Sequence, residues 1–185
     1  MNNNTLYRYP RFIDIEASSL GKNSYPIEVA WSDVCGNIES HLINVYAVES
    51  WTDWDFYAQN EIHGISRKMC REEGVNPNWL CNRLSELMAP LEVIYSDGGN
   101  FDEFWIDELY GAGSQLGFAQ FKIVHSDYAM LEVLNKSAYS DRKNTILGQL
   151  KKQARETVSE RHRATPDVQY LIELYKLCVN ISQEI

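Results

Sequence analysis

Cysteine is scarce: Cys35, Cys70, Cys81 and Cys178 are the four in 185 residues. No two stand as C-x-x-C, and no cysteine/histidine cluster has zinc-ligand spacing. A disulfide scaffold, a redox dithiol and a zinc module are therefore not expected. Reduced thiols fit a cytoplasmic location. Long apolar runs are missing as well. Nothing approaches the roughly 18 residues of a membrane span, and the opening MNNNTLYRYPR has no apolar core of signal-peptide length. Neither a span nor a leader is expected. Positive charge is also short, since the net charge is −9. Broad, sequence-independent duplex binding usually shows as a basic face, so the balance argues against it. It leaves open an acidic site whose bound cations invert the local charge.

What is present is core material. Hydrophobic residues make up 44% and charged residues 23%, the balance of a folded chain. The length suits one domain, 1–185, with 1–10 as a polar tail. From Arg11 the chain reads RFIDIEAS. Period-two alternation puts Ile13 and Ile15 on one face of a strand, with Phe12, Asp14 and Glu16 on the other. Tyr25 to Asp33 and Ile38 to Val45 read as two further strands in an antiparallel meander. Helices are predicted from Thr52 to Asn60 and from Pro77 to about Met88. LEVIY (91–95) is a buried strand. A helix starts at Asn100 with Glu103 as capping-box partner. Phe121 to His125 is another strand. The last helix takes Thr165 as N-cap and Pro166 as its first residue. The order β-β-β-α-β-α-β-α predicts an α/β fold, a five-stranded mixed sheet flanked by helices.

The carboxylates are the unusual feature. Asp14 and Glu16 share a strand face at a spacing of roughly 6–7 Å. On a central strand both would be partly buried, which is costly for two like charges without a cation. On a half-exposed strand they simply face solvent, and D-x-E alone does not decide between these readings. Asp102 and Asp167 each fall in a first helical turn, where the helix dipole favours acids in any protein. His162 lies just before the second of these turns, where an imidazole could take a proton from water near neutral pH.

Taken in order, FIDIEASSL, SDGGNFDEF and HRATPD resemble the motifs of the DEDDh branch of the DnaQ-like 3′–5′ exonucleases, which have the ribonuclease H-like fold. IHGIS resembles a further His-Gly-Ile habit of that family. The likeness covers about residues 11–180. It departs at Asp97-Gly98, where the family commonly has His-Asn, and at Ala17-Ser18-Ser19, where threonines and glycine are common. Asp97 is a competing acid beside Asp102.

The resemblance implies two divalent cations, Mg2+ or Mn2+, held by Asp14, Glu16, Asp102 and Asp167, with His162 as general base. The substrate it implies is the 3′ end of a single-stranded DNA or RNA, shortened to nucleoside 5′-monophosphates. Leu20, His63 and Ile65 would line the pocket of the terminal base, and backbone near Ala17 and Ser18 would fix the 3′-hydroxyl. For Leu20, packing beneath a turn is an equal reading. Small members of the family are frequently homodimers, which makes a homodimer possible, though no feature of the sequence requires one; a membrane partner is not expected. Lys151, Lys152, Arg155, Arg161 and Arg163 form a basic stretch that either tracks phosphates or is a solvated helix face. Trp51, Trp54, Trp79 and Trp105 either stack bases or fill the core. Two other functions compete. One is a catalytically silent module of the same fold that binds nucleic-acid ends or acts as a scaffold. The other is a protein-contact role with the acids paired to lysine and arginine.

Overall fold

The structure, a computed structural model, describes residues 8–158 and 162–183. Strand β1, Ile13–Ala17, carries the predicted alternation: Ile13, Ile15 and Ala17 are buried, and Asp14 and Glu16 are half-buried. It pairs antiparallel with β2, Pro26–Ser32, which pairs antiparallel with β3, Ile38–Leu42. Pro26 stands first in β2, where its missing N–H costs no ladder bond. The register between β1 and β2 shifts between Glu16 and Ala17. Bulges of this kind bend a strand and re-aim the side chains beside it.

Every residue of β2 is buried because both faces are covered. Ile27, Val29 and Trp31 join one core with Ile13 and Ile15. That core is closed by α1 (Arg67–Glu73), α2 (Pro77–Leu87) and α3 (Asn100–Gly113). Ala30 and Phe12 join a second core, closed by α4 (Asp127–Asn135), α5 (Lys143–Thr157) and α6 (Ala164–Gln183). Asp14 and Glu16 alternate onto the face of Phe12, and so point toward the layer of α5 and α6.

The expected five-stranded sheet is corrected. Strands β4 (Val93–Ser96) and β5 (Lys122–His125) form a separate parallel pair. An isolated parallel bridge, Phe12–Tyr95, joins them to β1, with Tyr95 N–H donating to the Arg11 carbonyl at 3.0 Å. Among the described residues no ladder continues past that bridge. Order along the chain was legible; the short overlap of β1 and β4 is a tertiary property.

Three local expectations also shift. Residues 52–55 are loop, and the helical segment starts at Phe56 and continues as a wide turn, Ala58–His63. Helix α3 has Gly99 at its N-cap with φ +59° and no side-chain cap, so the Glu103 capping box does not form. Glycine is needed there for the left-handed backbone. Helix α6 begins at Ala164 rather than after Thr165. The carboxylate of Glu28, reaching from β2, accepts from the Ala164 N–H at 3.1 Å and does the work a local cap would do. Helix α2 matches its prediction, with Asn76 capping the Asn78 N–H at 2.9 Å and Pro77 in the first turn.

Candidate metal centre

Strands β1 and β4 and helices α5 and α6 converge on one open pocket of about 440 Å³, lined by Asp14, Asp97, Gly98, Arg155, His162 and Asp167. Strand β1 supplies Asp14. The turn after β4 supplies Asp97 and Gly98. The end of α5 and the start of α6 supply Arg155, His162 and Asp167. The single bridge between β1 and β4 is what brings the Asp97 turn beside Asp14. Clefts outside the carboxyl end of a strand are common places for sites in open α/β folds.

Asp14, Glu16 and Asp167 offer carboxylate oxygens that all lie within 4.8 Å of one another. Asp102 sits behind them. It is 1% exposed, and one of its oxygens, Oδ2, is buried without a hydrogen-bond partner. Its carboxyl packs against Gly98, where a Cβ would come within 2.5 Å of Oδ2. A side chain at position 98 would therefore displace the Asp102 carboxyl.

The electrostatics record this crowding. Burial raises the Asp14 pKa well above the usual carboxylate range, and the charges of Asp102, Asp167, Glu16 and Asp97 raise it further. Glu16 is pushed from 4.5 to about 8, first by burial, then by Asp167 and by Glu28 directly opposite on β2. Asp102 is also raised, chiefly by burial, against hydrogen bonds from Ser96 and the Gly98 backbone. Oxygen donors gathered at this density suit Mg2+ or Mn2+. A second group, Asp97, His125 and Asp127, also brings its donor atoms within 4.8 Å. Its charge is already partly met: Lys151 is 2.6 Å from Asp127, and Ser126 donates to Asp97 at 3.1 Å.

His162 is exposed on the pocket rim, with a left-handed backbone at φ +60°. Its neighbour Arg163 holds the turn in place by a two-pronged bond to Glu28, at 2.8 and 2.6 Å. The sequence left Arg163 in a basic stretch that either tracks phosphates or is a solvated helix face; in the structure it bonds to Glu28. The missed signal was a lone charged residue inside the apolar strand PIEVAWS. Arg161 lies outside the described residues.

The five expected substrate-contacting positions divide. Leu20 is 77% exposed and lines a separate pocket with Phe101 and Phe104. The walls of that pocket are the turn after β1, which follows Glu16, and the start of α3, which also carries Asp102. Ala17 and Ser18 are buried, and the Ser18 backbone is engaged internally, its N–H with Tyr25 and its carbonyl with Asp55. Ile65 is fully buried in the first core. His63 is buried too. Its Nδ1 accepts from the Ile65 N–H at 2.9 Å, its Nε2 has no partner, and burial lowers its pKa. Trp51 and Trp105 serve the core, the first stacked on Tyr25 and the second donating to Ser24.

No protein-family model and no curated protein match the sequence. Solved structures do match. One is a moderately thermophilic exonuclease I from Methylocaldum szegediense, with a TM-score of 0.55 at 15% identity. The chain shares its fold with a known exonuclease. That match covers 90% of this chain but 40% of the exonuclease, so the chain spans well under half of that protein's length. Another is Pop2p of S. pombe in a form with Mg2+ and Mn2+ bound, with a TM-score of 0.55 at 14% identity. It is matched over 92% of this chain and 82% of Pop2p. Among the described residues no helix is long and apolar enough to cross a membrane.

Proposed function

We propose that the chain is a metal-dependent 3′–5′ exonuclease of the DEDDh type, releasing nucleoside 5′-monophosphates from single-stranded DNA or RNA ends. One observation carries the reading: Asp14, Glu16 and Asp167 converge, with the buried Asp102, whose Oδ2 has no hydrogen-bond partner, behind them, on a fold shared with an exonuclease. The crowded oxygens fit divalent cations, and Asp14, Glu16, Asp102 and Asp167 would hold them. When bound, the cations supply Lewis acidity at the scissile phosphate. His162, free on the rim, takes the proton of the attacking water on an imidazole nitrogen. The water oxygen then bonds to phosphorus as the bond to the 3′ oxygen breaks. Leu20 and Phe101 offer an apolar shelf for the terminal base. Arg163 holds the turn that carries His162 and makes no contact with the substrate.

The test uses DNA and RNA oligonucleotides labelled at either end, incubated with Mg2+ or Mn2+ and resolved by length. Strands labelled at the 5′ end are expected to shorten in single steps, and strands labelled at the 3′ end to release a labelled mononucleotide at once. An absence of metal-dependent shortening overturns the reading. The silent binding module draws on one observation, the Arg155 guanidinium already bonded to Asp167. The same assay decides against it when shortening is seen and is lost in Asp14→Asn.

A further inference from the structure

Arg155 is a cation that the chain places in its own acidic pocket. Its guanidinium donates to Oδ1 of Asp167, and its other arm stands 3.9 Å from Oδ2 of Asp97. It lies flat against the Tyr170 ring, 3.6 Å from the ring centre. Tyr170 is buried and follows Asp167 by one turn of α6, so the stacking fixes where the charge sits. The same side chain borders a second groove, with Lys151, Lys152, Glu156 and Tyr170. Arg155 therefore stands in the wall between an acidic pocket and a basic groove.

We propose that Arg155 is the resident counter-cation of the metal-free site and must release Asp167 before a divalent cation can occupy it. The inference rests on the metal-site reading above. Asp167 belongs to the trio of acids whose oxygens lie within 4.8 Å, so a cation on that trio becomes a like-charged neighbour of the guanidinium. Both cannot hold Asp167 without strong repulsion. Bonded to Asp167, the guanidinium offsets the mutual repulsion of the acids. On loading it turns across the Tyr170 face into the basic groove, where a strand's phosphates give it a new anionic partner. Arginine suits this role because its planar fork bonds carboxylate and phosphate equally well and stacks on an aromatic ring in either position. Arg155 is then a positioning residue that tunes metal affinity. The opposite role, a guanidinium that stays on Asp167 and supports it as a ligand, predicts the opposite sign.

The experiment is Mn2+ titration by calorimetry on the full chain, for the unchanged protein, Arg155→Met and Arg155→Lys, with Asp14→Asn as the blank and circular dichroism to confirm folding. Competition predicts that Arg155→Met binds Mn2+ at least tenfold more tightly, melts lower in chelator, and regains more of its melting temperature on adding metal. Arg155→Lys stays near the unchanged protein. Equal or weaker Mn2+ binding by folded Arg155→Met overturns the inference and leaves the metal-site reading standing. No Mn2+ binding by any form overturns both. Mn2+ binding that appears only in Arg155→Met upholds the inference. In the unchanged protein, Mg2+ titration of the arginine Nε–Hε signals by nuclear magnetic resonance gives an independent reading. The Arg155 signal is expected to shift and exchange faster with water, and a signal that stays put counts against release.

Discussion

Strands β1 and β2 lie side by side, each with an acid in a largely buried setting, and they treat that acid in opposite ways. Glu28 on β2 is 3% exposed and fully served: Arg163 grips both oxygens, and the Ala164 N–H adds a third bond. Glu16 stands directly opposite it on β1 and faces mainly other acids. Asp14 is surrounded the same way. A buried carboxylate with partners is a structural brace. Buried carboxylates without them are a demand for a cation, and the fold tolerates them only because something outside the chain, or Arg155, answers it.

The sharpest way to break this comparison is to neutralise one acid from each class. Asp14→Asn is expected to cut nuclease turnover by at least about a thousandfold, since it removes a metal ligand. The same change is expected to raise the melting temperature of the chelator-treated protein by a few degrees, because repulsion from four acids disappears. A brace would behave in reverse, losing stability. If Asp14→Asn melts lower than the unchanged protein in chelator, the distinction between the two strands collapses.

His162→Ala is expected to lower turnover by about 10²–10⁴, the usual worth of a general base, while Mn2+ affinity by calorimetry stays within about threefold. Loss of metal affinity in step with turnover would make His162 a ligand. Arg163→Ala probes the brace. It leaves Glu28 buried with little to answer its charge, so unfolding in urea is expected to be easier by roughly 3 kcal/mol, moderated by the part-exposed arginine. Its effect on turnover should follow from a loosened turn at His162, and wild-type stability would remove Glu28 from the structural class.

The parts legible in the sequence are those set by local rules. Alternation in IDIEA put Asp14 and Glu16 on one face, and the Asn76-Pro77 signal fixed the start of α2. The gathering of Asp14, Asp102, His162 and Asp167 into one region was expected from resemblance, since no periodicity joins positions so far apart. Other features depended on contacts between distant segments. The split sheet comes from a single bridge at Phe12. Glu28 caps α6 from across the fold, which displaced the local Thr165 signal. Arg155 reads as one more exposed helix charge until α6 places Tyr170 and Asp167 beside it. Asp97 was visible as a competing acid, and only the meeting of β4 with β1 puts it in the pocket lining.

The smallest expected effect is a pH dependence, and it comes from the acids of β1. Glu16 titrates near 8 in the folded chain against 4.5 ordinarily, raised by burial, Asp167, Glu28 and Asp102 and lowered only by Arg163. Between those values the folded state keeps a proton that the unfolded state has released. Stability therefore falls as pH rises through this window, being fully present below 4.5 and lost by about 8. Asp14, raised for the same reasons, adds to the fall. Melting curves in chelator from pH 5 to 8 are expected to decline for the unchanged protein and to decline less for Glu16→Gln. Saturating Mn2+ should flatten the slope, because bound cations favour the charged carboxylates. A melting temperature that climbs with pH in chelator would mean that the acids of β1 already have cations built into the chain.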